Sequence, residues 1–200
     1  MDFYNEQILY QTSTIKVFEN HEIDEIIKLS KRINTEKAYI SAADRQIEPN
    51  GRVDESVRIS KIKWLNKSDD TLWIYKKIHQ AFKTLNDDCY HFKLKGLESL
   101  QLTIYDGNEK GKYESHIDTT VLKIKNKKYI RKLSMSILLS DPENFSGGQL
   151  MVDRHGSDFI PEHKKGWAIV FPSFTRHRVF PVERGTRITL VAWAHGDFFV

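Results

Sequence analysis

The chain has 200 residues, 40% of them hydrophobic and 29% charged, with a formal net charge of +4. That length favours one domain able to bury a sizeable core, and the composition is that of a soluble globular protein, not a disordered or fibrous one. No apolar run approaches the ~18 residues of a membrane span, no secretory signal pattern opens the chain, and a single cysteine, Cys89, excludes an internal disulfide or a cysteine-based zinc cluster. A reducing, cytoplasmic setting with no membrane partner is the expectation.

In chain order, residues 15–33 predict a helix: Ile23, Ile26, Ile27 and Leu29 share one side, Asn20 can cap the start, and Lys28, Lys31 and Arg32 load the end. Residues 41–56 are polar, with Pro49, Asn50 and Gly51, and read as a loop. Residues 57–65 alternate as a strand with a slip near Lys61. A turn then precedes a second helix over 71–86, with Ser68, Asp69 or Asp70 as cap and an apolar stripe of Leu72, Ile74, Ile78, Phe82 and Leu85. Beyond residue 97, seven or eight short strands separated by turn signals indicate a β-sandwich or barrel. The expectation is a single α+β domain, mainly β. Its residues 1–97 hold helices and supporting strands that buttress one sheet, and residues 98–200 form the β core.

Two groupings carry chemistry. Lys123, Lys125, Lys127, Lys128, Arg131 and Lys132 crowd together around Tyr129. They are either an electrostatic footprint for nucleic acid or an acidic partner, or a solvated edge that repels strand pairing. The second reading is favoured because the cluster is single, so nucleic acid is not the preferred partner. The other grouping is His116-x-Asp118 at the end of a strand, where residues i and i+2 share a face and can reach one ion. Alone the pair is weak, and the chain holds a second copy at His195 and Asp197, set aside because no histidine follows it. What strengthens the first copy is His177, which opens a later strand 61 residues on, and Arg187 ten residues further with Thr189 on the same face. Two imidazoles and a carboxylate make the facial triad of non-haem iron(II) sites. A guanidinium held deeper among the strands suits a carboxylate.

These residues sit within a wider pattern: Tyr105-x-Gly107, Tyr113-x-x-His116-x-Asp118, Ser146-Gly147-Gly148-Gln149-Leu150, Phe171-Pro172-Ser173, His177-x-Val179-x-Pro181-Val182-x-x-Gly185-x-Arg187 and Trp193. It resembles the prolyl 4-hydroxylase branch of the 2-oxoglutarate/Fe(II) oxygenases over roughly residues 98–196. The resemblance implies a double-stranded β-helix (jelly roll) and hydroxylation of a C–H bond, foremost of a peptidyl proline in a protein or peptide substrate. It further implies Fe(II), 2-oxoglutarate and O₂, with ascorbate as reductant. By position, His116, Asp118 and His177 would bind iron, and Arg187, Thr189 and Tyr105 would contact 2-oxoglutarate. Tyr113 and Trp193 would lie near substrate. The chain departs from some relatives at Ile137-Leu138-Leu139, where they carry a tyrosine.

Other readings stay open on the residues alone. Tyr105, Tyr113 and Trp193 are equally at home as half-buried strand aromatics, and Gly147-Gly148 can be a bulge or turn. Two histidines and an aspartate also suit a zinc hydrolase, which leaves Arg187 without a role. A non-catalytic jelly-roll binding module usually loses a ligand or the arginine, and both are present here. A phosphate loop at Gly107–Gly111 fails on spacing and on Tyr113 in place of Ser or Thr.

Overall fold

The computed structural model describes residues 12–38, 53–154 and 156–199. Residues 41–52 of the expected loop therefore lie outside the described residues. The elements are β1 (Ser13–Lys16), α1 (Asn20–Ser30), β2 (Glu36–Lys37), β3 (Arg58–Ile59), β4 (Lys61–Leu65), α2 (Leu72–Leu85), β5 (Leu94–Leu97), β6 (Leu100–Asp106) and β7 (Lys112–His116). They continue with β8 (Val121–Ile124), β9 (Lys127–Leu138), β10 (Phe145–Gly147), β11 (Leu150–Arg154), β12 (Ser157–Phe159), β13 (Trp167–Pro172), β14 (His177–Val179) and β15 (Val182–Gly196).

The first helix is shorter than the sequence pattern suggests. Residues 13–16 pair with β13 as a strand, and the Val17 and Phe18 amides both donate to the Gly166 carbonyl, so α1 starts only at Asn20. Its cap position is Glu19, not Asn20, and the Glu22 side chain accepts the Glu19 N–H, a reciprocal pattern that satisfies an orphan amide. At α2 the cap position is Thr71, not Ser68, Asp69 or Asp70. The Thr71 hydroxyl instead ties the preceding turn, accepting from the Ser68 amide and donating to the Asn66 carbonyl. A π-turn at Asn86–Tyr90 follows, closed by the Asn86 side chain, which bonds both the N–H and the C=O of Phe92.

Two antiparallel sheets face each other. The larger runs β1-β13-β9-β15-β6-β4-β2, with β10 and β5 also on β15 and β8 on β9; the smaller runs β12-β11-β14-β7-β3. The slip near Lys61 has a structural cause: residues 58–59 pair with β7 in the small sheet while 61–65 pair with β6 in the large one, so the chain changes sheet at Ser60.

Strand alternation then sorts the large sheet into two faces. Leu100 and Leu102 of β6, Leu133 and Ile137 of β9, and Leu190, Ala192 and Ala194 of β15 point outward into a core with Ile23 and Ile26 of α1 and Ile74, Ile78 and Phe82 of α2. Burying each large aliphatic group there contributes about 1.5–3 kcal/mol. The intervening residues Gln101, Tyr105, Ser134, Ser136, Arg187, Thr189, Val191 and Trp193 point between the sheets and line a cavity of about 360 Å³. A small apolar cluster of Leu150, Val152, Ile169, Phe171, Val179 and Val182 closes its inner end. The helices thus cover one face of the sheet and leave the other, polar face for a site.

Candidate metal centre

His116 ends β7 and His177 opens β14, and the two are cross-strand partners in the small sheet. Asp118 reaches them differently from the expected i, i+2 strand geometry. β7 stops at His116, Ile117 turns out to solvent, and the Asp118 amide donates to the Ser173 carbonyl, which swings the carboxylate inward. One potential ligand atom from each of His116, Asp118 and His177 falls within 4.8 Å of the others, and no other such group occurs among the described residues. His195 is buried in β15 and Asp197 faces Lys95, so the second His-x-Asp copy forms no comparable cluster.

The hydrogen bonds around the three residues orient them for a cation. His116 Nδ1 lies 2.7 Å from the Glu114 carbonyl and His177 Nδ1 lies 3.0 Å from the Thr175 carbonyl. A carbonyl only accepts, so each Nδ1 donates its proton there, and Nε2 is the nitrogen left to present a lone pair when the ring is neutral. Both Nε2 atoms face Asp118, at 3.6 Å from Oδ1 and Oδ2 respectively. Burial alone would raise the Asp118 carboxyl; the His177 and His116 rings and Arg131 outweigh it and hold the group well below the usual carboxylate range. Burial pushes His177 down to about 4, against the pull of Asp118. A deprotonated carboxylate and two neutral imidazoles are the donor set a divalent metal requires. The residues fit iron(II).

Trp193 lines the cavity, and its indole N–H also donates to Asp118 Oδ2 at 2.9 Å. Its ring lies under the Arg131 guanidinium at 4.1 Å, and Arg131 is clamped by both oxygens of Glu98 at 2.7 Å. This support was not legible in the sequence, where Glu98 is an unremarkable surface-type residue and Arg131 reads as part of the basic cluster. Outer partners of this kind typically change metal affinity 10–100-fold. Trp193→Phe keeps the ring and deletes the donor, so we expect metal affinity to fall by about 10-fold or more. Titration of the metal-free protein with Mn(II) measures this, and unchanged affinity would show the bond to be incidental.

Arg187 and Thr189 lie where the alternation of β15 puts them, on the cavity face and each 1% exposed. Arg187 is opposite Tyr105 across the β6–β15 ladder, with its guanidinium carbon 5.5 Å from the Tyr105 ring centre. Burial pulls Arg187 down to about 10, so it stays charged at neutral pH. Its Nε and Nη2 are buried with no hydrogen-bond partner. An uncompensated guanidinium at that depth is expensive, and a ligand carboxylate is the natural remedy. Gly148, at φ +66°, leaves room for it: a Cβ there would stand 2.9 Å from Arg187 Cδ. The glycine pair is thus a left-handed turn that also admits the arginine. These orphan donors fit a dicarboxylate whose other end reaches the metal.

Tyr113 stacks on His116 with ring centres 3.5 Å apart and lies under Arg58 at 4.5 Å; burial pushes its phenol up to about 12. The basic cluster forms the β8–β9 hairpin. Its neighbours Thr119, Thr120 and Leu122 line the cavity, and Lys123, Lys125, Lys127 and Lys128 are exposed.

His163 adds a pH dependence. Its Nε2 accepts the Leu150 amide, and burial, with Arg187 nearby, pushes the ring down to about 4. His163 and His177 are both held neutral in the fold but charge near pH 6.5 once unfolded. The unfolded chain therefore binds more protons between these values, and stability falls as pH drops from about 6.5 towards 4. We expect the Tm of metal-free protein to decline over that window and His163→Gln to flatten the decline. A Tm independent of pH there would contradict the assignment.

Comparison with known proteins agrees with this architecture. Residues 100–195 match the sequence profile of the 2OG-Fe(II) oxygenase superfamily. Relatives include a PKHD-type hydroxylase of Shewanella frigidimarina, 33% identical over 88 residues (43% of this chain, 39% of that one). A PKHD-type hydroxylase of Crocosphaera subtropica is 31% identical over 102 residues (50% and 44%). The chain thus spans about two-fifths of the length of these relatives. Among solved structures, a Pseudomonas putida prolyl-4-hydroxylase superposes with a TM-score of 0.67 at 17% identity, covering 97% of both chains. A Trichoplax adhaerens prolyl hydroxylase, solved with a hypoxia inducible factor peptide fragment, gives 0.71 at 16% identity, covering 95% and 86%. The fold is their double-stranded β-helix, and over residues 100–195 this chain is similar to the 2OG-Fe(II) oxygenase superfamily.

Proposed function

We propose that the protein is an Fe(II)- and 2-oxoglutarate-dependent dioxygenase that hydroxylates a C–H bond, foremost of a peptidyl proline. The observation that carries the reading is one cavity holding both a His-Asp-His donor set with its proton positions fixed and a buried guanidinium lacking partners. A zinc hydrolase would use the first and leave the second idle.

In this reading His116, Asp118 and His177 hold iron(II). When bound there, iron with 2-oxoglutarate and O₂ supplies the oxidising power, one oxygen atom entering the substrate and the other the succinate formed with CO₂. Arg187 anchors the distal carboxylate of 2-oxoglutarate with its two free N–H groups, and Thr189 and Tyr105 flank it on the same face. Leu150, Phe171 and Val179 give the cavity an apolar wall that would limit water around the bound cosubstrate. Trp193 fixes the Asp118 carboxylate through its indole N–H and so would hold that ligand in place when the metal binds. Tyr113 offers an aromatic wall beside His116 for a proline ring. Ascorbate would serve as external reductant, and a reducing cytoplasm suits a ferrous centre. Among the described residues no helix is long and apolar enough to cross a membrane.

Incubating the Fe(II)-loaded protein with 2-oxoglutarate and Pro-containing peptides, free proline and oligonucleotides tests the reading. We expect a peptide to gain one oxygen mass together with succinate. Oxygen gain by oligonucleotides alone would overturn the peptidyl substrate.

A further inference from the structure

The cavity lining holds three guanidiniums and, among the described residues, one carboxylate, Asp118. Charge matching accounts for most of them. Arg131 is neutralised by Glu98. Under the reading above, one iron(II), Asp118, Arg187 and the two carboxylates of 2-oxoglutarate sum to zero. Arg58 is left over. It is 7% exposed, and among the described residues its side chain bonds only neutral groups: Nε donates to Ser60 Oγ at 2.8 Å and Nη2 to Gln101 Oε1 at 3.0 Å. Its face rests on Tyr113 at 4.5 Å, so the side chain is aimed along the ring that stacks on His116. No carboxylate among the described residues forms an ion pair with it. Burying a cation without a countercharge costs stability, which is the same imbalance that Arg187 shows towards its ligand.

We propose that Arg58 is a specificity-determining residue that binds a carboxylate of the substrate. The inference rests on the oxygenase reading and adds the chemical class of what enters the cavity. The carboxylate belongs to an acidic side chain close to the oxidised residue, or to a peptide's C-terminus. The surrounding charge favours an acidic segment. The β8–β9 hairpin at the same cavity carries exposed Lys123, Lys125, Lys127 and Lys128, none of which forms an ion pair with a described residue. A purely structural Arg58, tying β3 to β6 through Gln101, would be indifferent to substrate charge.

Two randomised proline-centred peptide libraries test this, one amidated at the C-terminus so that only side chains carry carboxylates, the other with a free C-terminus. Each is incubated with holoenzyme, 2-oxoglutarate and O₂, and the oxygenated peptides are sequenced. We expect wild type to prefer Asp and Glu over Asn and Gln near the modified residue by about 10-fold or more. Oxygenation confined to the free-acid library and lost in Arg58→Gln would assign the C-terminal carboxylate instead. Arg58→Gln should bring the acid-to-amide ratio near one, Arg58→Lys should retain part of it, and Arg58→Glu should turn selection towards Lys and Arg. The ratio is read within each protein, so a poorly folded variant does not alter it. Succinate formed by wild type with neither an acidic preference nor a difference between the two libraries, with no peptide oxygenated, or with the selectivity unchanged in Arg58→Gln, overturns the role of Arg58. Absence of any succinate from wild type would instead overturn the oxygenase reading.

Discussion

Asp118→Ala is expected to abolish Fe(II)-dependent conversion of 2-oxoglutarate to succinate, a loss of at least about 100-fold, beyond what removing a group that merely orients a ligand produces. The carboxylate is the one anionic donor facing the two imidazoles, and it also receives the Trp193 N–H. Removing it leaves two nitrogens about a cation and strands the indole donor. His177→Ala and His116→Ala should each give the same phenotype, because each supplies one Nε2 lone pair. The check is succinate formation alongside Mn(II) binding, which should fail together. Retained turnover with lost metal affinity, or full turnover in any of the three, would contradict the metal assignment.

Arg187→Met is expected to separate ligand binding from stability. Truncating one side of a buried, hydrogen-bonded charge pair costs about 2–5 kcal/mol, so the 2-oxoglutarate concentration for half-maximal turnover should rise by roughly 30-fold or more. Without ligand the arginine is a buried charge whose Nε and Nη2 lack partners. The ligand-free variant should therefore be no less stable than wild type. Thermal denaturation with and without 2-oxoglutarate reads both effects. Wild type at 100 times its Kd gains about 2.7 kcal/mol, and most of that gain should vanish in Arg187→Met. An equal ligand-induced shift in both proteins would remove Arg187 from the cosubstrate site.

The spacing of chemistry-bearing residues was more legible than their local geometry. His177 opening a strand, Arg187 and Thr189 sharing a face of β15, and a β-rich half beyond residue 97 all follow from period-two alternation, a strong short-range signal. Helix starts were not, because residues 13–16 carry an apolar Ile15 compatible with either state and pairing with β13 decides the matter. Asp118 does converge with His116 and His177, but not through the expected strand geometry: a long-range bond to Ser173 past the strand end turns it inward. The second tier of the site is less visible still. Glu98, Arg131 and Trp193 converge from the turn before β6, from β9 and from β15, and Arg58 meets Gln101 across two sheets. Such contacts depend on tertiary register, which no local pattern encodes.

The central claim is that one cavity binds iron and 2-oxoglutarate for oxidation. It is tested most directly by following succinate and CO₂ from 2-oxoglutarate with purified protein, in matched samples lacking Fe(II) or O₂. The account predicts succinate and CO₂ in equal amounts, requiring both Fe(II) and O₂ and lost in Asp118→Ala. Turnover supported by Zn(II), turnover without O₂, or no turnover by metal-loaded protein would contradict it.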